Sequence, residues 1–122
     1  MSYSKVKITR GSGGWGGPVI VSPDDVKNKV VYVTGGAKPE VAETIAKLTG
    51  CELIDGFTHG VRDSETACVV INCGGTLRCG IYPQKKIPTV NIMSTGKSGP
   101  LAQFMKEDIY VSDVKSKNVK KI

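Results

Sequence analysis

Little in this chain suits a bound metal, a membrane span or an oxidising compartment. His59 is the single histidine, and none of the four cysteines (Cys51, Cys68, Cys73 and Cys79) stands in a Cys-x-x-Cys pair. The spacing Cys68-x4-Cys73-x5-Cys79 does not suit zinc, and one histidine cannot complete the common mixed ligand sets, so no metal is expected. No secretory leader opens the sequence, which reads the thiols as reduced rather than paired. No apolar run approaches the ~18 residues of a membrane helix, so the chain reads as soluble and cytosolic. Phe and Tyr do not interleave with basic residues as they do on platforms for single-stranded nucleic acid, and no nucleic-acid partner is expected.

Acidic residues are also scarce, 11 against 17 basic ones, for a net charge of +6. Such an excess points to an anionic partner: phosphate, an acidic protein face, nucleic acid or a membrane surface. What the chain has in quantity is glycine, 15 in 122 residues, gathered in clusters. The length fits one domain.

The apolar pattern predicts an α/β fold, a single domain with a mostly parallel sheet, flanking helices and glycine-rich loops at the strand ends. Lys5-Val-Lys-Ile-Thr9 alternates like a half-exposed strand, and Val19-Ile-Val21 is a short one. Lys29-Val-Val-Tyr-Val-Thr34 reads as a buried strand. Pro39 suits an early helical position, Val41, Ile45 and Leu48 share a face, and Gly50 suits the stop, which predicts a helix over Glu40–Thr49. Strands are expected at Glu52–Asp55, Ala67–Asn72, Ile87–Ile92 and Asp108–Val111, with a loop over 56–65 and a short helix over Leu101–Met105. Residues 1–114 form the predicted domain, and 115–122 are a basic tail or an edge strand.

The most chemical stretch is Cys73-Gly-Gly-Thr-Leu-Arg-Cys79-Gly, where a strand delivers a thiol into glycines. Glycines let backbone amides turn toward a ligand, and Arg78 offers a planar cationic fork suited to phosphate. A thiol among amide donors and positive charge tends toward thiolate, the nucleophilic form. Cys73 is therefore the candidate nucleophile, with Gly74, Gly75 and Thr76 as its amide cradle and Arg78 offsetting charge. Cys79, after Arg78, is the alternative, while Cys68 and Cys51 read as core. The bland reading of the same stretch is a buried thiol before a turn.

Other glycine-rich turns stand near strand ends at 11–17 and 35–36, and Ser94-Thr-Gly-Lys-Ser-Gly-Pro100 precedes the short helix. Lys97 could serve the same anion as the Cys73 loop. Gly96-Lys97-Ser98 is not a nucleotide P-loop, because that motif needs glycine where Asn91 stands. Four residues separate Cys73 from Arg78, one fewer than in the phosphate loop of cysteine phosphatases, so that likeness is one of chemistry only. Trp15 within its glycines reads as an anchor on the core, or else a cover for a site. His59 reads as a solvated loop residue rather than a catalytic one.

Longer motifs narrow the field. Gly13-Gly-Trp-Gly-Gly-Pro18, Leu48-Thr-Gly50, Ile54-Asp-Gly-Phe57, Asn72-Cys-Gly-Gly-Thr-Leu-Arg-Cys-Gly-Ile-Tyr-Pro83, Ser94-Thr-Gly-Lys-Ser-Gly-Pro-Leu-Ala-Gln103 and Glu107-Asp-Ile-Tyr-Val-Ser112 run nearly the whole length. Together they resemble the enzyme IIB domain of the glucitol/sorbitol-specific bacterial phosphotransferase system. The resemblance implies a phosphocarrier without cofactor. It would take a phosphoryl group from a phosphohistidine of the IIA partner onto a cysteine. It would then pass the group to the sugar alcohol as the membrane IIC component imports it, working in the cytoplasm at the inner face of the membrane. It does not by itself decide between Cys73 and Cys79.

Overall fold

A computed structural model of the chain describes residues 3–34, 38–56, 58–72, 78–96 and 101–122, the side chains of Arg78 and Cys79 excepted. Two sheets share one core. Strands β1 (Val6–Ile8), β2 (Val19–Val21) and β8 (Val119–Lys121) form an antiparallel sheet in the order β2-β1-β8. Strands β3 (Lys29–Val33), β4 (Glu52–Asp55), β5 (Thr66–Ile71), β6 (Thr89–Asn91) and β7 (Tyr110–Val111) form a parallel sheet in the order β4-β3-β5-β6-β7. The α/β class and the mostly parallel sheet agree with the pattern of apolar runs. The separate antiparallel sheet has no counterpart in that reading.

Helix α1 (Glu40–Thr49) lies on one face of the parallel sheet. Pro39 caps it from outside, with extended backbone, rather than opening it as a helical residue. Gly50 ends it in the left-handed conformation, φ 84°, and its amide returns to the Ala46 carbonyl. A side chain there would be strained, which is why glycine serves. Val41, Ala42, Ile45 and Ala46 bury against Val30, Cys68 and Val70 of the parallel sheet. The same cluster takes in Val6, Ile8, Val19, Val21 and Val119, so α1 sits between the two sheets.

The opposite face of the parallel sheet carries Val31, Val69 and Ile71, packed with Ile87, Met105, Tyr110, Tyr82 and Trp15. Strand β5 is buried along its whole length, as a central strand covered on both faces must be. On this second face lies a helix that the sequence reading missed, α2 (Arg78–Gln84), with Pro83 near its end. Glycine and proline both argue against helix, yet here tertiary packing overrides them. Gly80 is buried, and a Cβ on it would collide with Leu101 Cβ and stand 2.8 Å from the Leu101 carbonyl oxygen. Only a bare Cα allows α2 to lie this close to its neighbour. The helix expected over 101–105 is instead a short 3-10 turn, Ala102–Phe104. A further 3-10 turn, Asp63–Glu65, stands within the expected loop.

Candidate functional site

All five strands of the larger sheet run the same way, so their carboxyl ends share one rim. The chain leaves β3 through α1 to β4 on one side. It then crosses back to β5 on the other side and proceeds outward to β6 and β7. The turn-round point therefore lies between β3 and β5, and in doubly wound sheets the crevice outside the strand ends at such a point is where ligands bind. Thr34 follows the last residue of β3 there and Asn72 follows the last residue of β5. Asn72 Nδ2 donates to the Thr34 carbonyl across the gap, 3.3 Å, and so ties the two strand ends together.

The expected nucleophile and cradle follow directly. Cys73, Gly74, Gly75 and Thr76 lie outside the described residues, as does Lys97. Arg78 and Cys79 are the first two residues of α2. The other two cysteines are where the sequence reading put them. Cys68 is fully buried in β5, and burial pushes its thiol far up from the ordinary value. Burial also raises Cys51, against a weaker opposing hydrogen bond with Thr49. Both are held as neutral thiols and are poor nucleophiles.

A second feature of the rim is a clamp that the sequence reading did not identify. Tyr110 is fully buried in β7. Its hydroxyl accepts a hydrogen bond from Asn91 Nδ2 at 3.0 Å and donates to the Thr95 carbonyl at 2.7 Å. Asn91 Oδ1 in turn accepts from the Met93 amide at 3.0 Å. The first half of the Ser94–Pro100 turn is thus tied down to the sheet from below. A buried asparagine ending an apolar strand was the available signal, since a buried polar side chain needs partners.

The glycine loop 11–17 has a different character. Its amides bond back to the chain: Gly13 to Asp113 Oδ2 at 2.9 Å, Trp15 to Ser112 Oγ at 2.8 Å, Gly17 to the Glu107 carbonyl at 2.7 Å and Gly14 to the Gly11 carbonyl at 3.0 Å. Gly16 pairs with Val111, so the loop covers the outer edge of β7. Trp15 acts as an anchor, its ring 6.1 Å from that of Tyr110 and tilted by 39°. Donors used in this way are not offered to an anion, and the loop is structural.

His59 is exposed on the loop after β4, with Nδ1 2.8 Å from Thr58 Oγ1. It lines an open cleft of about 450 Å³ beside β4 with Tyr32, Lys38 and Asp55. Among the described residues, no three His, Cys, Asp or Glu side chains gather where they could hold a metal ion. Nor is any helix among them long and apolar enough to cross a membrane.

The arrangement is that of a doubly wound α/β domain, with a cysteine two positions in sequence past the central strand that borders the turn-round point. More particularly, residues 5–122 match the family described as sorbitol phosphotransferase enzyme II N-terminus, and the chain belongs to that family. It is 57% identical over 113 residues to the PTS system glucitol/sorbitol-specific EIIB component of Clostridium beijerinckii, an alignment covering 92% of this chain and 34% of that protein. The chain thus spans about a third of the length of this relative. No solved structure matches it.

Proposed function

We propose that this chain is the phosphocarrier of a sugar-alcohol phosphotransferase system, with Cys73 as the residue that carries the phosphoryl group. The observation that supports this most is positional. Cys73 is the residue after Asn72, whose side chain spans the turn-round point between β3 and β5. Family membership supplies the reaction class.

The Cys73 thiolate attacks the phosphorus of a phosphohistidine on the IIA protein. The N–P bond breaks, an S–P bond forms, and the imidazole leaves and takes up a proton. A hydroxyl of glucitol, held by the membrane IIC component, then attacks the phosphorus. Its proton departs to solvent or a base, the S–P bond breaks, and the thiolate is restored with the 6-phosphate as product. Transfer of this kind depends mainly on positioning and on offsetting charge over the equatorial oxygens. Amides of Gly74, Gly75 and Thr76 serve the oxygens, with Arg78 and Lys97 as cations. The work takes place on the cytoplasmic face of the membrane.

The residues that follow each thiol favour Cys73 over Cys79 as the acceptor. The residues that follow Cys79 are helical, so amides from Tyr82 onward are engaged in the helical ladder. Gly80, the glycine directly after Cys79, lies against Leu101. Three residues free of side-chain bulk or bearing a hydroxyl follow Cys73, whereas a single glycine and then Ile81 and Tyr82 follow Cys79.

Incubation of the chain with phosphorylated IIA, followed by peptide mapping, tests the assignment. Cys73→Ser should take no stable label and Cys79→Ser should keep most of it, because a serine hydroxyl lacks a nucleophile of low pKa. Label retained in Cys73→Ser but lost in Cys79→Ser would invert the assignment. Steady release of inorganic phosphate, in place of a stable label, would mark a phosphatase instead.

A further inference from the structure

The small antiparallel sheet turns Val6, Ile8, Val19, Val21 and Val119 inward, and on its other face Lys7, Ile20 and Lys120 are exposed. Alternation along β1 puts Lys7 on that outer face, and Lys5, just before the strand, is exposed. The strand register sets Lys7 between Ile20 on β2 and Lys120 on β8, one row across three strands. All three lysines are exposed, and Ile20 is 44% exposed beside them. Lys121 adds a further exposed amine at the edge.

Like charges directly opposite on neighbouring strands destabilise a sheet. Here Lys7 faces Lys120, and among the described residues no carboxylate lies within ion-pair distance of Lys5, Lys7, Lys120 or Lys121. Among the described residues the ion pairs lie elsewhere, at Lys29–Glu52, Lys85–Asp63 and Lys115–Asp113. The face thus combines positive charge that no described carboxylate pairs with and an exposed aliphatic side chain on a sheet of three-residue strands.

We propose that this face docks on an anionic lipid surface. Charge complementarity requires an anion, and the choice of residue selects its kind. Protein interfaces favour arginine and are depleted in lysine, because a guanidinium fork fixes geometry. A lipid surface offers diffuse negative charge that flexible point cations can meet without fixed geometry. Lysine stems can also lie along the acyl boundary with their amines in the headgroups, and Ile20 can enter beside them. The proposal does not depend on the phosphocarrier reading, since none of these residues belongs to the rim of the parallel sheet.

The test is partition of the 122-residue chain onto vesicles of phosphatidylcholine alone and onto mixed phosphatidylglycerol–phosphatidylcholine vesicles. The parent should bind only the mixed vesicles and be released by high salt. Lys7→Gln with Lys120→Gln should weaken that binding by roughly 20- to 30-fold, about fivefold per lysine. A control pair with the same change in net charge, Lys47→Gln with Lys106→Gln, should alter it by no more than about twofold if the face and not the total charge decides. Lys7→Gln with Lys120→Gln should melt no lower than the parent, because a repulsion is relieved. Equal losses in the two pairs would overturn the proposal. So would absence of binding to the mixed vesicles, or binding to polyglutamate but not to lipid, which would mark an acidic protein as the partner.

Discussion

Tyr110→Phe isolates the clamp beneath the Ser94–Pro100 turn. The substitution keeps the buried ring and its contact with Trp15, 6.1 Å between centroids, and removes one oxygen. What is lost is a pair of hydrogen bonds: one accepted from Asn91 Nδ2 at 3.0 Å and one given to the Thr95 carbonyl at 2.7 Å. A typical intramolecular hydrogen bond contributes about 1 kcal/mol net, and a buried former partner pushes that toward about 1.5 kcal/mol. The expected loss is therefore about 2–3 kcal/mol. With an unfolding entropy of about 2.1 cal/mol/K per residue, a chain of this length should melt ~8–12 °C lower. Urea unfolding gives the free energy, and calorimetry gives the melting point. The slope against urea should stay the same, because the surface exposed on unfolding does not change. Amide exchange over residues 94–96 should accelerate before the rest of the sheet. A loss under about 0.5 kcal/mol, within the range of an ordinary surface substitution, would refute the clamp.

Two further perturbations read other parts of the fold. Gly80→Ala should gain up to about 1 kcal/mol of helix propensity. It should lose about 1–3 kcal/mol by overpacking, because the new methyl meets Leu101 Cβ and carbonyl oxygen and backbone cannot swing aside. A net drop in chemical stability is expected, and a variant more stable than the parent would remove the close approach. Asp113 accepts from Lys115 Nζ and from the Gly13 amide, each at 2.9 Å, and these bonds, Lys115 first, hold its carboxyl below the ordinary 3.8. A lowered carboxylate stabilises above its unfolded value, and that contribution fades as pH falls through the folded one. Asp113→Asn should thus melt lower than the parent at neutral pH, and the gap should close in acid. A gap that is constant across the aspartate range would show that the charge is not involved.

Most elements were legible because they follow from local pattern. The run Lys29–Val33 is β-branched and lies between turn residues, and α1 has its apolar stripe and its glycine stop. Helix α2 was not legible, because its sequence, Arg-Cys-Gly-Ile-Tyr-Pro-Gln, carries both of the poorest helix formers. Its cause is the fit of Gly80 against Leu101, a contact with a residue 21 positions away. The partition of strands between two sheets was hidden for the same reason. Strand β8 completes the small sheet by pairing with β1 at the other end of the chain, and alternation says which face of a strand is buried but not which strand lies beside it.

The candidate site divides along the same line. That a strand ends at or just before Asn72 and that the sequence then continues into a thiol and two glycines is a local fact, readable from the letters. That Asn72 bonds to Thr34, 38 residues earlier, follows only from the strand order that makes β3 and β5 neighbours at the turn-round point. The glycine loop 11–17 argues the converse. By composition it equals the Cys73 and Ser94 turns as a candidate anion cradle. Its amides nevertheless go to Ser112, Asp113 and Glu107, about a hundred residues on, and cover a sheet edge that would otherwise be open. Glycine content tells where backbone can come close to something. Whether that something is a ligand or the chain itself is decided by which donors remain unused once the sheet has formed, and that is a property of the fold rather than of the motif.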